Sequence, residues 1–177
     1  MNWKKLSSSY LSDHIYFRAR ADRYERPDGK IVDPYFVVEL PTSVCAMAIT
    51  RDDQVIMVKQ YRPPVAENLL ELPGGFIDKG EEPVKAIARE LLEETGYRFA
   101  HFTWLGKVAA NPGVLDNYTH LFLATGGEKV AEQSLDSNED IRIELFSLAA
   151  VREMLRKNEI VQSLHTTCLF YGFQQLT

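Results

Sequence analysis

Gly75-Phe76-Ile77-Asp78-Lys79-Gly80-Glu81-Glu82-Pro83-Val84-Lys85-Ala86-Ile87-Ala88-Arg89-Glu90-Leu91-Leu92-Glu93-Glu94-Thr95-Gly96-Tyr97 is the stretch from which the fold is read. Glu82 precedes a proline and is pushed out of helical geometry, while Pro83 suits the first helical turn, where its missing N–H would have no partner. Gly96 suits the left-handed position just past the last turn. Turned at about 100° per residue, the helix puts Val84, Ala88, Leu91, Leu92 and Thr95 on one side, expected to face a core, and Glu90, Glu93 and Glu94 on the other. Carboxylates three and four residues apart repel by about 0.2–0.5 kcal/mol per pair. A stretch needing only helix and solubility would interleave lysines. Two readings compete: a solvated acidic face, or a hard divalent cation such as Mg²⁺ among the glutamates, cancelling the repulsion.

The flanking residues decide between the two. Gly75, five residues, Glu81, seven residues, Arg89-Glu90-Leu91, one residue, Glu93-Glu94, one residue and Gly96 together resemble the full Nudix box, with Tyr97 at a terminal position that is usually aliphatic. The resemblance is tightest over the box and looser from about 35 to 145. It implies the Nudix fold, an α/β (α+β) sandwich with a mixed β-sheet between helices, and hydrolysis of a nucleoside diphosphate linked to another group. It further implies Mg²⁺ as cofactor, with Mn²⁺ able to substitute, held by Glu90 and Glu94. Glu93 is then a further ligand or a catalytic polariser of water, and the carbonyl of Gly74 a backbone ligand. Gly75, Glu81, Arg89 and Gly96 are structural in the motif, Arg89 and Glu81 pairing as a guanidinium–carboxylate fork.

The 177 residues suffice for one domain with a sizeable core, or one domain plus a small appendage. A net charge of −5 argues against general nucleic-acid binding. Arg18, Arg20, Arg23, Arg26 and Lys30 nevertheless lend the first thirty residues a basic lean, read either as a solvated hairpin face or as help in holding an anionic substrate. No stretch approaches the roughly 20 apolar residues of a membrane span, and the N-terminus lacks the apolar core of a signal peptide. The two cysteines, Cys45 and Cys168, have no metal-ligand spacing. The cytoplasm is the expected compartment.

In chain order, residues 15–24 and 31–40 read as strands around the turn Pro27-Asp28-Gly29-Lys30. This N-terminal β-hairpin segment, 1–40, precedes a Nudix hydrolase domain over 41–177. In the resembling enzymes the equivalent segment packs across a twofold dimer and lends residues to the partner's site, which implies a homodimer. Strands are expected at 44–50, 54–61, near 101–109, 118–124 and 141–147. Helices are expected at about 148–157 and 162–175, with loops at 63–68 and 126–140.

For the proton of the attacking water, related enzymes on ADP-ribose use a glutamate from the loop before the last strand, and Ser137-Asn138-Glu139-Asp140-Ile141 resembles that segment. Glu139 is thus the expected base, against an ordinary solvated loop glutamate. Pro112, sixteen residues after Gly96, resembles the placement in ADP-ribose pyrophosphatases. Arg62, in Gln60-Tyr61-Arg62, resembles that subfamily's diphosphate-binding arginine and is chemically suited to two-point phosphate contact. Leu115 and Asn117 stand where the subfamily usually has Ser and Glu, which leaves room for other nucleotide sugars, GDP-mannose among them. Arg18 is a candidate for the terminal sugar or phosphate. Trp3, Tyr16, Phe17 and Trp104 are candidates for stacking on a base, with core or dimer packing as the plainer account of each. Two alternatives stay open: hydrolysis of a nucleoside triphosphate or dinucleoside polyphosphate, and a non-catalytic ligand-sensing domain, a type that typically loses the box glutamates kept here.

Overall fold

β4, Ser43–Thr50, is apolar at almost every position because both of its faces are covered. The computed structural model describes residues 2–14, 17–137 and 139–176, and in it the chain divides into two units by contact. One comprises Thr42–Val108 and Thr119–Thr177; the other comprises Met1–Pro41 and Ala109–Tyr118.

The larger unit is built on β4. It pairs antiparallel with β5 (Gln54–Arg62) and parallel with β9 (Thr119–Lys129). β10 (Ile141–Ser147) and β6 (Glu67–Glu71) flank β5, and β8 (His101–Val108) and the short β7 (Tyr97–Arg98) pair with β9. This is the mixed sheet between helices that the sequence implied. Alternate residues of β4 point to opposite layers, as a strand's period of two requires. Cys45, Met47 and Ile49 join Val151 of α2 (Leu148–Arg156) and Cys168, Leu169 and Phe173 of α3 (Ser163–Gln175). Val44, Ala46 and Ala48 join Ala86, Ile87 and Leu91 of α1 (Pro83–Thr95).

The caps of α1 follow the sequence: Glu82 is extended at φ −75°, and Gly96 is left-handed at φ 72° with its N–H on the Leu92 carbonyl. The burial of α1 departs from the helical wheel. Val84 is 42% exposed, Ala88 and Leu92 are half-buried, and the core contacts come from Ala86, Ile87 and Leu91. Glu94, expected on the polar side, is buried. The inward direction of the helix runs along Ile87, Leu91 and Glu94, and there Glu94 meets the Gly74 N–H. Two expected loops are shorter than read: β6 begins at Glu67, and β9 continues to Lys129 to pair with β7. No helix among the described residues is long and apolar enough to cross a membrane.

The smaller unit holds an antiparallel sheet of three strands in the order β1 (Lys4–His14), β2 (Phe17–Glu25), β3 (Ile31–Glu39). Ile15 and Tyr16, read as the start of the first strand, lie outside the described residues. The β2–β3 turn is closed by Gly29 N–H on the Arg26 carbonyl at 2.9 Å, with Gly29 left-handed at φ 79°. β1 has no counterpart in the sequence reading. It is exposed almost throughout and its serine run has no apolar period, so nothing local marks it. Polar contacts hold it: buried Asp22 of β2 accepts from Ser8 and pairs with Lys5, both on β1, and with Arg20 of its own strand. Ala109–Tyr118 joins β3 through Val38 N–H on the Val114 carbonyl at 2.8 Å.

Burial alone would raise the Asp22 carboxyl, but hydrogen bonds from Ser8, Arg20, Tyr24 and Lys5 outweigh it and hold the group at about 2. That lies below the unfolded value of about 3.9. The stabilisation is therefore complete above pH about 4 and disappears as pH falls toward 2. Acid titration of unfolding should show this loss in the wild type, and a shallower slope with lower neutral-pH stability in Asp22→Asn.

Candidate active site

The site is assembled from α1, the turn before it and the loop before β10, all within the larger unit. Arg89 is its centre. Nε and Nη2 donate to Glu81 at 3.1 and 3.0 Å, tying the 76–81 loop to the helix, and Nη2 also donates to the Phe76 carbonyl at 3.0 Å. Nη1 donates to Glu90 at 2.9 Å and to Glu93 at 3.0 Å. Three carboxylates thus share one guanidinium. The hydrogen bond from Arg89 lowers the Glu81 carboxyl, and that same bond raises the already high guanidinium value, so both stay charged.

Glu94 makes no salt bridge among the described residues, though the charge of Arg62 reaches it and favours its ionised form. It is 6% exposed, and one carboxylate oxygen accepts the Gly74 N–H at 2.8 Å. Burial pushes its carboxyl up to about 8, the Gly74 N–H opposes this, and the negative charges of Glu90 and Glu139 add to it. Glu90 is raised too, by burial first and against the pull of Arg89, with Glu93 and Glu139 contributing. The glycines make this crowding feasible. A Cβ on Gly75 would sit 2.6 Å from the Glu90 carboxyl carbon, and one on Gly74 would run into the Val44 carbonyl oxygen.

Glu139 lies within electrostatic reach of Glu90 and Glu94. Its own carboxylate is folded back onto the Asp136 N–H at 3.0 Å; its neighbour Asn138 lies outside the described residues. Arg62, at the end of β5, is gripped from two points by Glu71 of β6, with Nε at 3.1 and 3.2 Å and Nη2 at 2.6 Å. Glu71 is 2% exposed while the Arg62 side chain is 44% exposed. The sequence reading passed over Glu71; its signal was a lone charge in the apolar run Leu69-Leu70-Glu71-Leu72.

Arg18 and Pro112 belong to the smaller unit. Arg18 pairs with Asp13 at 2.6 Å and lies over the Tyr10 ring. Trp3 is edge-on to Tyr24 and Tyr35, and Phe17 is exposed. Tyr16 is outside the described residues. Trp104, in the larger unit, is exposed beside His120.

Among the described residues no three carboxylate, histidine or cysteine side chains are already gathered as a cation cage. Glu90 and Glu93 are turned onto Arg89, and Glu94 onto Gly74. The donor set nevertheless fits a hard divalent ion. Its donors are oxygens, its carboxylates outnumber the one guanidinium among them, and burial first, then neighbouring carboxylates, disfavour the ionised forms of Glu94 and Glu90 that a cation would restore.

Comparison with known proteins agrees with this geometry. The NUDIX domain family matches residues 39–165, and the nucleoside diphosphate sugar hydrolase N-terminal domain matches residues 3–38. The chain is 34% identical over 137 residues to an ADP-ribose pyrophosphatase of Bacillus subtilis (strain 168), covering 77% of this chain and 74% of that protein. It is 32% identical over 165 residues to an ADP-ribose pyrophosphatase of Mycobacterium tuberculosis, covering 92% and 79%. It is also 33% identical over 161 residues to a methanol dehydrogenase activator of Bacillus methanolicus, covering 90% and 86%. A crystal structure described as an ADP compounds hydrolase superposes with a TM-score of 0.87 at 22% identity, covering 99% of this chain and 95% of the other, a likeness of fold. With the domain matched over most of its length and the box glutamates gathered around Arg89, the chain belongs to the Nudix hydrolase family.

Proposed function

We propose that this chain hydrolyses the pyrophosphate bond of nucleoside diphosphate sugars, ADP-ribose and possible relatives such as GDP-mannose, into a nucleoside monophosphate and a sugar phosphate. The observation that carries the reading is the buried Glu94 carboxyl, which makes no salt bridge among the described residues and is crowded by Glu90 and Glu139. The N-terminal domain match and the names of the Bacillus subtilis and Mycobacterium tuberculosis relatives support the substrate class.

Glu90, Glu94, Glu93 and the Gly74 carbonyl are the groups that would hold a divalent cation, Mg²⁺ with Mn²⁺ as substitute. Such an ion, when bound, withdraws charge from the diphosphate oxygens and makes a coordinated water more acidic. Arg89 keeps Glu90 and Glu93 oriented, while Gly75 leaves the space that the Glu90 carboxylate fills. Arg62, stiffened by Glu71, offers its exposed guanidinium to the diphosphate. Glu139 accepts the proton of the attacking water as oxygen adds to phosphorus and the anhydride P–O bond breaks; to do so its carboxylate leaves the Asp136 N–H. Arg18 and Pro112 are further substrate-binding residues, residues 1–40 dimerise in a homodimer, and 41–177 carry the hydrolase. The compartment is the cytoplasm, in keeping with two buried thiols that are not bridged.

A panel of nucleotide sugars with Mg²⁺, products identified by mass, tests the reading. Monophosphate and sugar phosphate are expected, ¹⁸O water locates the attacked phosphorus, and equal turnover of nucleoside triphosphates would overturn the substrate class. Glu94→Gln should lower kcat by about 10²-fold or more, and Glu139→Gln by about 10²-fold. Near-normal turnover in Glu139→Gln would move the base elsewhere.

A pH prediction follows from Glu94, whose carboxyl is at about 8 in the folded protein. The unfolded value is about 4.3. Between these values the folded metal-free protein holds a proton that the unfolded chain has released, so its stability falls as pH rises through that window. Thermal melts in a chelator should show this slope, Glu94→Gln should lack it, and millimolar Mg²⁺ should reverse it by favouring the ionised form.

A further inference from the structure

The turn that carries Gly74 is fastened by three different elements. β4 holds the Pro73 carbonyl through Ala46 N–H at 3.1 Å and the Gly75 carbonyl through Val44 N–H at 2.8 Å. α1 holds the Gly74 N–H through Glu94 at 2.8 Å. The Leu72 N–H goes to α3 instead, donating to Nδ1 of His165 at 3.1 Å, from a residue 93 positions away in the chain. Both residues are buried, at 2% exposure for Leu72 and 7% for His165. Burial, helped by the charge of Arg62, lowers the imidazole to about 3, so the ring is neutral; its Nδ1 faces the Leu72 N–H and its Nε2 lies 3.3 Å from the Gln162 amide nitrogen.

The helix bearing this histidine has no room to slide. A Cβ on Gly172 would meet Met47 Sδ at 2.5 Å, and Cys168, one turn beyond His165, has its thiol 3.5 Å from the Phe122 carbonyl. A leucine would fill the same apolar volume without accepting a hydrogen bond. Leu72 also directly follows Glu71, the residue that grips Arg62.

We propose that His165 is a positioning residue: from α3 it fixes the Leu72–Gly75 turn, and through that turn the Gly74 N–H bonded to Glu94 and the Glu71 carboxylate that orients Arg62. The kinetic part of this inference rests on the hydrolase reading above. The mechanical part does not.

The test compares His165→Leu with His165→Asn, whose amide oxygen can take the place of Nδ1, in the full chain well below each variant's Tm. His165→Leu should lose about tenfold or more in kcat, since small misplacements remote from the chemistry have such effects, and KM for ADP-ribose should rise as Arg62 loses its orientation. His165→Asn should recover most of it. Amide exchange over residues 72–75 should be accelerated about tenfold in His165→Leu, with β4 and α1 unchanged. A purely structural histidine would lower Tm but leave kcat and local exchange of the folded enzyme as in the wild type; that result overturns the proposal, as does a folded His165→Asn no better than His165→Leu. If His165→Leu does not fold, His165→Gln, whose amide oxygen stands one methylene too far out, replaces it under the same criteria. A wild type that hydrolyses no nucleotide sugar sinks the hydrolase reading alone, because the exchange measurement still decides whether His165 holds the turn.

Discussion

One guanidinium governs the acidic end of this protein. Arg89 has bonds to Glu81, Glu90, Glu93 and the Phe76 carbonyl. A lysine could supply the charge but not the planar fork that meets several acceptors at fixed angles. The result is a cluster in which three carboxylates have a shared cation and the fourth, Glu94, has only a backbone N–H. The imbalance is local and directional: the protein neutralises the outer rim and leaves the inner carboxyl raised. An acid kept this way exchanges its proton for a cation far more readily than a satisfied ion pair would.

The glycine turn and the sheet make that arrangement rigid. β4 supplies donors to the turn from one edge, while its side chains anchor α1 on one face and α3 on the other. The box glutamates and Arg62 are therefore not on flexible loops. They stand on a helix and a strand end, Arg62 backed by buried Glu71 and Glu90 and Glu93 by Arg89, as a site needing sub-ångström placement requires. Glu139 is the exception, on a turn whose own backbone currently occupies its carboxylate.

Much of this was legible from the amino acids alone. The limits of α1 follow from Pro83 and Gly96, whose backbone preferences are local. β4 is visible as an unbroken apolar run, and the spacing of the box glutamates is itself a geometric statement. What escaped is what depends on distant partners. β1 is held by Asp22, and a serine-rich exposed strand has no period to detect. The wheel set Glu94 on the polar side because it cannot know of the buried Gly74 N–H that this carboxyl meets. Glu71 and His165 were silent for the same reason, since each has meaning only beside Arg62 or Leu72.

The parallel pairing of β4 with β9 has a consequence for how the molecule comes into being. Ser43 aligns with Thr119, and the strands between them in sequence are laid down outside that pair. During synthesis, α1 emerges long before the strand that completes the floor beneath it, and loops of such length close slowly. For seconds, at ribosomal speeds of about 5–20 residues per second, the nascent helix has β4 and β5 beneath it but not β9. A chaperone that shields apolar strands would find β4, uncovered on the face that α2 and α3 later close, the natural place to hold.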